Sequence, residues 1–303
     1  MTLPKPPAVT ARYEPAIDLD AITMIDVHTH VEADDHGHLS NDQELLDAAA
    51  AYFRGEQPPA VTVDDLATYF RERKMAAVVF TVDHETETGH PPLSSEEIAA
   101  GAAKHNDVLI PFGSVDPRRP DAVERAIRLI ADHGCRGLKF HPSMRGFAPN
   151  DQTYYPLWEA MADHGAILLS HTGQTGIGAG LPGGRGIKLR YSDPMLLDDV
   201  AADFPDLRII LAHPSVPWAD SSIAMATHKS NVYVDLSGWL PKYFPPQLVR
   251  ALNGPLRGKA LFGSDFPLLT PDRWLASFAT LGVKVEILPA ILKDTAAGLL
   301  GLR

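Results

Sequence analysis

The residues of this chain best suited to chemistry are histidines placed where apolar runs end. Met24-Ile25-Asp26-Val27-His28-Thr29-His30 starts apolar, reads as a short buried strand, and closes on two histidines one residue apart. Side chains alternate along a strand, so His28 and His30 share a face, about two rises of ~3.3 Å apart. Two imidazoles at that separation can share one metal ion. Alone the pattern carries little weight, since the chain has 13 histidines and a second such pair, His36-Gly37-His38, in a polar stretch. Its weight comes from the later strand ends. Residues 136–141 end in Lys139 and His141, 166–171 in His171, 208–213 in His213, and 259–265 in Asp265. A single buried histidine is commonly satisfied by a backbone carbonyl. Several on one rim, with an aspartate, point to a shared metal site.

The elements that must position these residues alternate regularly. Strands are expected at 24–30, 75–82, 108–115, 136–141, 166–171, 208–213, 231–237 and 259–265, with Pro111 arguing against the third. Helices are expected at 64–74 behind an N-cap at Thr62, and at 94–105, opened by Ser94 with Glu97 three residues on. Further helices follow at 120–133, 155–164, 194–203, 221–228, 246–252, 271–281 and 287–300; Gly134 and Gly165 stop two of them. Eight strands, each followed by helix, imply right-handed βαβ units and a parallel sheet. The fold expected is a (β/α)8 TIM barrel in one domain spanning residues 1–303. Residues 1–22 form an N-terminal arm, and 31–60 an insertion after the first strand with a weak helical run at 44–53. Insertions of that length are often functional lids. A doubly wound open sheet would call for a phosphate-binding glycine motif after the first strand, where His-Thr-His stands instead. In a barrel the active site lies at the carboxyl ends of the strands, where the histidines are.

Composition narrows the class. The 303 residues are 45% hydrophobic, ample for a large core, and the net charge of −11 gives no general attraction to nucleic acid or an anionic membrane. Cys135 is the only cysteine, which excludes intrachain disulfides and suits a reducing cytosol. The first twenty residues lack the apolar core of a signal peptide, and no apolar run approaches the ~20 residues of a membrane span. The expectation is a cytoplasmic protein acting on a small molecule; a homo-oligomer is compatible with this reading.

The motifs Asp26-Val-His-Thr-His30, Gly137-Leu-Lys-Phe-His-Pro142, Leu169-Ser-His-Thr-Gly173, Leu211-Ala-His-Pro214 and Leu261-Phe-Gly-Ser-Asp-Phe-Pro267 together resemble the amidohydrolase superfamily. The similarity is to the branch typified by aminocarboxymuconate-semialdehyde decarboxylase and runs from Met24 to about Leu300. It implies that His28, His30, His171 and Asp265 bind one divalent metal, with His213 beside the metal-bound water as a proton acceptor. Asp265 would both ligate and shuttle a proton. Lys139 falls near a lysine that is carbamylated in binuclear relatives; the alternatives are a substrate contact or an ion pair. Three imidazoles and a carboxylate suit zinc, with manganese or iron as alternatives.

Substrate recognition is expected from the glycine-rich stretch at 173–190, whose Arg185, Lys188 and Arg190 concentrate positive charge in an acidic protein. Arg145, His141 and Lys139 would join it, and Trp239 and Lys242 would line the pocket. The stretches 173–194, 235–239 and 241–247 are similar to 4-hydroxyphenyl-β-ketoacyl-CoA hydrolases. That resemblance implies retro-Claisen cleavage of an aromatic β-ketoacyl-CoA by metal-bound hydroxide, giving an aromatic acid and acetyl-CoA. The alternative is a non-oxidative decarboxylase of an aromatic or muconate-type acid, with Lys139 or Arg185 clamping the departing carboxylate. A non-catalytic metal-binding barrel is the third reading, disfavoured because every ligand position holds a competent residue.

Overall fold

The computed structural model describes residues 12–53 and 59–303, so the first half of the expected N-terminal arm lies outside the described residues. Eight strands form one sheet, hydrogen-bonded in sequence order, and every pair is parallel. They are β1 (Met24–His30), β2 (Met75–Phe80), β3 (Leu109–Gly113), β4 (Gly137–Phe140), β5 (Ile167–His171), β6 (Arg208–Ala212), β7 (Val232–Asp235) and β8 (Ala260–Leu261). Beyond β8 the chain meets β1 again: Val27 donates to Phe262 O at 3.0 Å and His30 to Phe266 O at 2.8 Å. Those bonds close the sheet into a (β/α)8 barrel.

The continuous apolar runs follow from burial on both faces. In β2, Ala76, Val78 and Phe80 join the inner core with Ile110, Phe112, Ile167, Leu169 and Ile210. Met75, Ala77 and Val79 face outward into a second core shared with the helices. The helices are α1 (Gln43–Phe53), α2 (Val63–Glu72), α3 (Glu85–Thr88), α4 (Ser95–Lys104), α5 (Ala122–Ala131), α6 (Pro142–Arg145) and α7 (Tyr155–Asp163). They continue with α8 (Leu196–Asp203), α9 (Ala219–His228), α10 (Pro246–Leu252), α11 (Pro271–Phe278) and α12 (Thr295–Leu299). Thr62 caps α2 reciprocally with Asp65 and Ser94 caps α4 at Glu97 N, as the sequence predicts. Pro111 sits inside β3, passing its carbonyl to Arg136 N at 2.9 Å. The expected helix over 287–300 is present over 288–299, widened into a π-helical stretch at Ala290–Asp294 before α12. Among the described residues no helix is long and apolar enough to cross a membrane.

One irregularity governs the site. The β1–β2 register slips between Asp26 and Thr29, so β1 carries an extra residue opposite Val78. Ile25 and Val27 point into the barrel. The extra residue reverses the alternation, so that His28 and His30, rather than Thr29, turn to the cavity above the inner core.

Candidate metal centre

His28, His30 and Asp265 each offer one ligand atom, all within 4.8 Å of one another. His28 Nε2 lies 3.3 Å and His30 Nε2 3.1 Å from Asp265 Oδ1. Asp265 reaches them from a left-handed backbone, φ 71°, and donates its own N–H to the His28 carbonyl at 2.9 Å. Such a conformation costs a residue with a Cβ ~1–3 kcal/mol and persists only where the surroundings dictate it. His213, after β6, has φ 71° as well. Asp26 ties the two chain ends together beneath the site, accepting from His28 N and Ser264 N at 3.0 Å each and from Ser264 Oγ at 2.5 Å.

One buried carboxylate, Asp235 at the end of β7, fixes the histidine tautomers. Asp235 Oδ2 accepts from His28 Nδ1 at 2.5 Å and from Ser237 Oγ at 2.9 Å. The His28 Nε2 lone pair therefore faces Asp265 and His30. Because Ser237 donates to Asp235, its oxygen accepts from His213 Nδ1 at 3.0 Å. His213 Nε2 is then left to accept from His171 Nδ1, also at 3.0 Å. The relay ends at His171 Nε2, which is buried and has no hydrogen-bond partner. The His171 ring is stacked on His141 at 3.8 Å, and His141 is held in turn by Met144 N and Thr175 Oγ1. Two glycines make room. A Cβ on Gly263 would lie 2.3 Å from Asp235 Oδ1, and one on Gly238 would lie 2.4 Å from His213 Nδ1.

Electrostatics agree with this donor set. Burial, reinforced by neighbouring positive charge, pushes His28 and His171 well below the usual histidine range, so both rings are neutral. Burial also lowers His213. For Asp265 burial works upward, but the hydrogen bond from His30 and the fields of His28 and His213 outweigh it and hold the carboxylate ionised. Burial lifts Asp235 only to about 6. Neutral imidazole nitrogens with inward lone pairs, an ionised carboxylate and an orphaned buried nitrogen fit a divalent cation, with outer partners of the kind that orient metal-bound histidine. Lys139 stands at the same point, Nζ 3.1 Å from His28 Nε2, its pKa brought down by burial to about 8.

These residues floor a cavity of about 590 Å³. Its walls are apolar and aromatic, including Leu39, Leu46, Trp239, Leu240, Tyr243 and Leu268. A smaller cavity of about 300 Å³ lies across Met144, beneath the glycine-rich loop.

Residues 25–302 match the amidohydrolase family model. The chain belongs to the amidohydrolase family. Solved amidohydrolase-like structures share its fold. An uncharacterized TIM-barrel protein from Bordetella bronchiseptica has a TM-score of 0.75 at 22% identity, covering 92% of this chain and 98% of its own. A dihydroxybenzoic acid decarboxylase from Polaromonas sp. JS666, with bound manganese and the inhibitor 2-nitroresorcinol, has a TM-score of 0.68 at 15% identity, covering 93% and 97%. The 5-carboxyvanillate decarboxylase of Sphingomonas paucimobilis has a TM-score of 0.61 at 15% identity, covering 92% and 99%. No curated protein matches the sequence significantly.

In this amidohydrolase the expected site residues divide sharply. His28, His30, Lys139, His141, His171, His213, Trp239 and Asp265 line the large cavity together. His171 lies outside the tight group of three ligands. Arg145 is no substrate contact here: its guanidinium is fully buried and donates to Val115 O, Ser114 Oγ and Lys139 O, facing Asp83 and Asp116. Arg185 pairs with Asp42 at 2.8 Å and Glu44 at 3.3 Å, tying the glycine-rich loop to the start of α1, and with Lys188 it lines the smaller cavity. Arg190 stacks on Tyr191, and Lys242 is exposed beside Tyr243. Neither Arg190 nor Lys242 lines either cavity. The anion-binding rim expected of that loop therefore does not meet the metal floor. Sequence reasoning assigned no role to Asp235, Glu32, Thr81 or Arg273. Asp235 could have been found as the acid ending the seventh strand; the others have no pattern to mark them.

Proposed function

We propose that the protein is a metal-dependent, non-oxidative decarboxylase of an aromatic or muconate-type carboxylic acid. The observation that carries this reading is the Lys139 ammonium set among the ligand atoms at the floor of an apolar, aromatic-walled cavity. Arg185 and Arg190, expected to hold a coenzyme A thioester, are turned elsewhere. The decarboxylase likeness of two fold neighbours supports the same choice over thioester hydrolysis. A divalent ion held by His28, His30, Asp265 and His171 would supply Lewis acidity to anchor the substrate's anionic oxygens.

The chain's own residues account for the rest. Lys139, still mostly protonated at neutral pH, holds the carboxylate by a charge-assisted hydrogen bond. The apolar walls pack the ring and exclude water, which strengthens that contact. Decarboxylation breaks the bond between the ring carbon and the carboxyl carbon; carbon dioxide leaves, and its electron pair stays on the ring carbon, which takes a proton. The ionised Asp265 takes up a proton from solvent as the substrate enters and delivers it to that carbon, with His213 beside it on the cavity wall. Asp235 and Ser237 keep the His213 ring in place for it.

The deciding experiment supplies metal-loaded protein with a panel of aromatic acids and, separately, aromatic β-ketoacyl thioesters. The expected outcome is carbon dioxide with the decarboxylated arene from at least one acid. Release of a new aromatic acid and acetyl-CoA from a thioester, with no carbon dioxide from any acid, would establish the hydrolase instead.

A further inference from the structure

The large cavity has a second polar pole, built by residues outside the proposed ligand set. Val31 N donates to Phe80 O at 2.9 Å, which brings the chain after β1 alongside the end of β2. Glu32, Ser40, Asn41 and Thr81 meet there on the cavity wall. Their hydrogen bonds run in one direction. Asn41 Nδ2 donates to Ser40 Oγ at 3.0 Å, and Ser40 Oγ donates to Glu32 Oε2. Ser40 is fixed from behind, its N–H on Glu32 O and its carbonyl facing His84 Nε2. That direction leaves acceptors uncommitted. Asn41 Oδ1 is buried without a partner, and so is Oγ1 of Thr81, a residue only 1% exposed. The second Glu32 oxygen takes no hydrogen bond among the described residues.

Two orphaned polar atoms beside one half-used carboxylate are costly unless something completes them. We infer that Glu32, Asn41 and Thr81 form a substrate subsite for an uncharged substituent that donates a hydrogen bond, such as a ring hydroxyl. The chemistry is selective by sign. Asn41 Oδ1 can only accept from such a group, Thr81 can do either, and a second carboxylate would set acceptor against acceptor at Asn41. The cavity would thus orient an aromatic acid from both ends, its carboxylate at Lys139 and its hydroxyl at this pole. The inference rests on the aromatic-acid reading for the ligand's other end, but not on the reaction.

Calorimetric binding to the metal-loaded protein tests it with benzoate, the three monohydroxybenzoates and isophthalate. At least one hydroxybenzoate should bind about tenfold more tightly than benzoate, while isophthalate gains nothing over benzoate. In a Thr81→Val, Asn41→Ala double variant that ratio should fall to within about twofold of one. Thr81→Val alone, nearly isosteric, should raise the melting temperature of the ligand-free protein, because it removes an unpaired hydroxyl. The subsite is overturned if no hydroxybenzoate outbinds benzoate, including the case in which none binds. It is overturned as well if the ratio survives in the double variant, or if Thr81→Val lowers the melting temperature. Carbon dioxide release is measured separately. Discrimination that the variants abolish, with no carbon dioxide from any acid, keeps the subsite and removes the decarboxylase.

Discussion

Replacing Asp235 by asparagine removes one charge and no volume, and its effect can be worked out bond by bond. Oδ1 accepts from Ser237 N at 2.8 Å, and Oδ2 accepts from His28 Nδ1 and Ser237 Oγ. An asparagine has only one acceptor oxygen. If that oxygen takes the Oδ2 place, the amide NH2 confronts the Ser237 N–H, leaving two donors face to face in a site with no exposure. If it takes the other place, the NH2 confronts His28, which must move its proton to Nε2 and lose the lone pair it turns towards Asp265. The first arrangement costs ~1–3 kcal/mol for an unsatisfied buried donor. The second removes a ligand outright. Loss of such an outer partner typically weakens metal binding 10–100-fold, about 1.4–2.8 kcal/mol. Competition with a chromophoric chelator should therefore give Asp235→Asn a zinc or manganese Kd at least tenfold above wild type. Ser237→Ala, which removes the hydroxyl between Asp235 and His213 but leaves the His28 bond to Asp235 in place, should change it by less. An Asp235→Asn protein that folds and holds metal as tightly as wild type would refute the tautomer relay.

His171→Ala should lose most bound metal and activity together, measured by elemental analysis and turnover; full metal content would remove His171 from the ligand set. Arg145→Met should lower stability by about 1.5–3 kcal/mol in denaturant melts, because Val115 O, Ser114 Oγ and Lys139 O lose a buried charged donor. A stable Arg145→Met protein with only a raised KM would return Arg145 to the substrate.

The sequence alone determined the alternation of strand and helix, and with it the barrel. Short apolar runs punctuated by helices leave a parallel sheet little alternative. It also determined which strand ends carry chemistry, because a histidine at the end of an apolar run is visible without coordinates. It did not determine which face those residues take. The extra residue in β1 exchanges inner for outer positions, and the left-handed turns at His213 and Asp265 aim two more side chains. Neither has a local signature, since both depend on how neighbouring strands pair. Charge was the least legible property. Arg145, Arg185, Lys188 and Arg190 look alike as cations near the rim, yet one is buried under β3 and β4, two flank a separate cavity and one stacks on a tyrosine. A long flexible side chain takes its direction from whichever carboxylate, carbonyl or ring folding brings near it, and only the tertiary structure decides which that is.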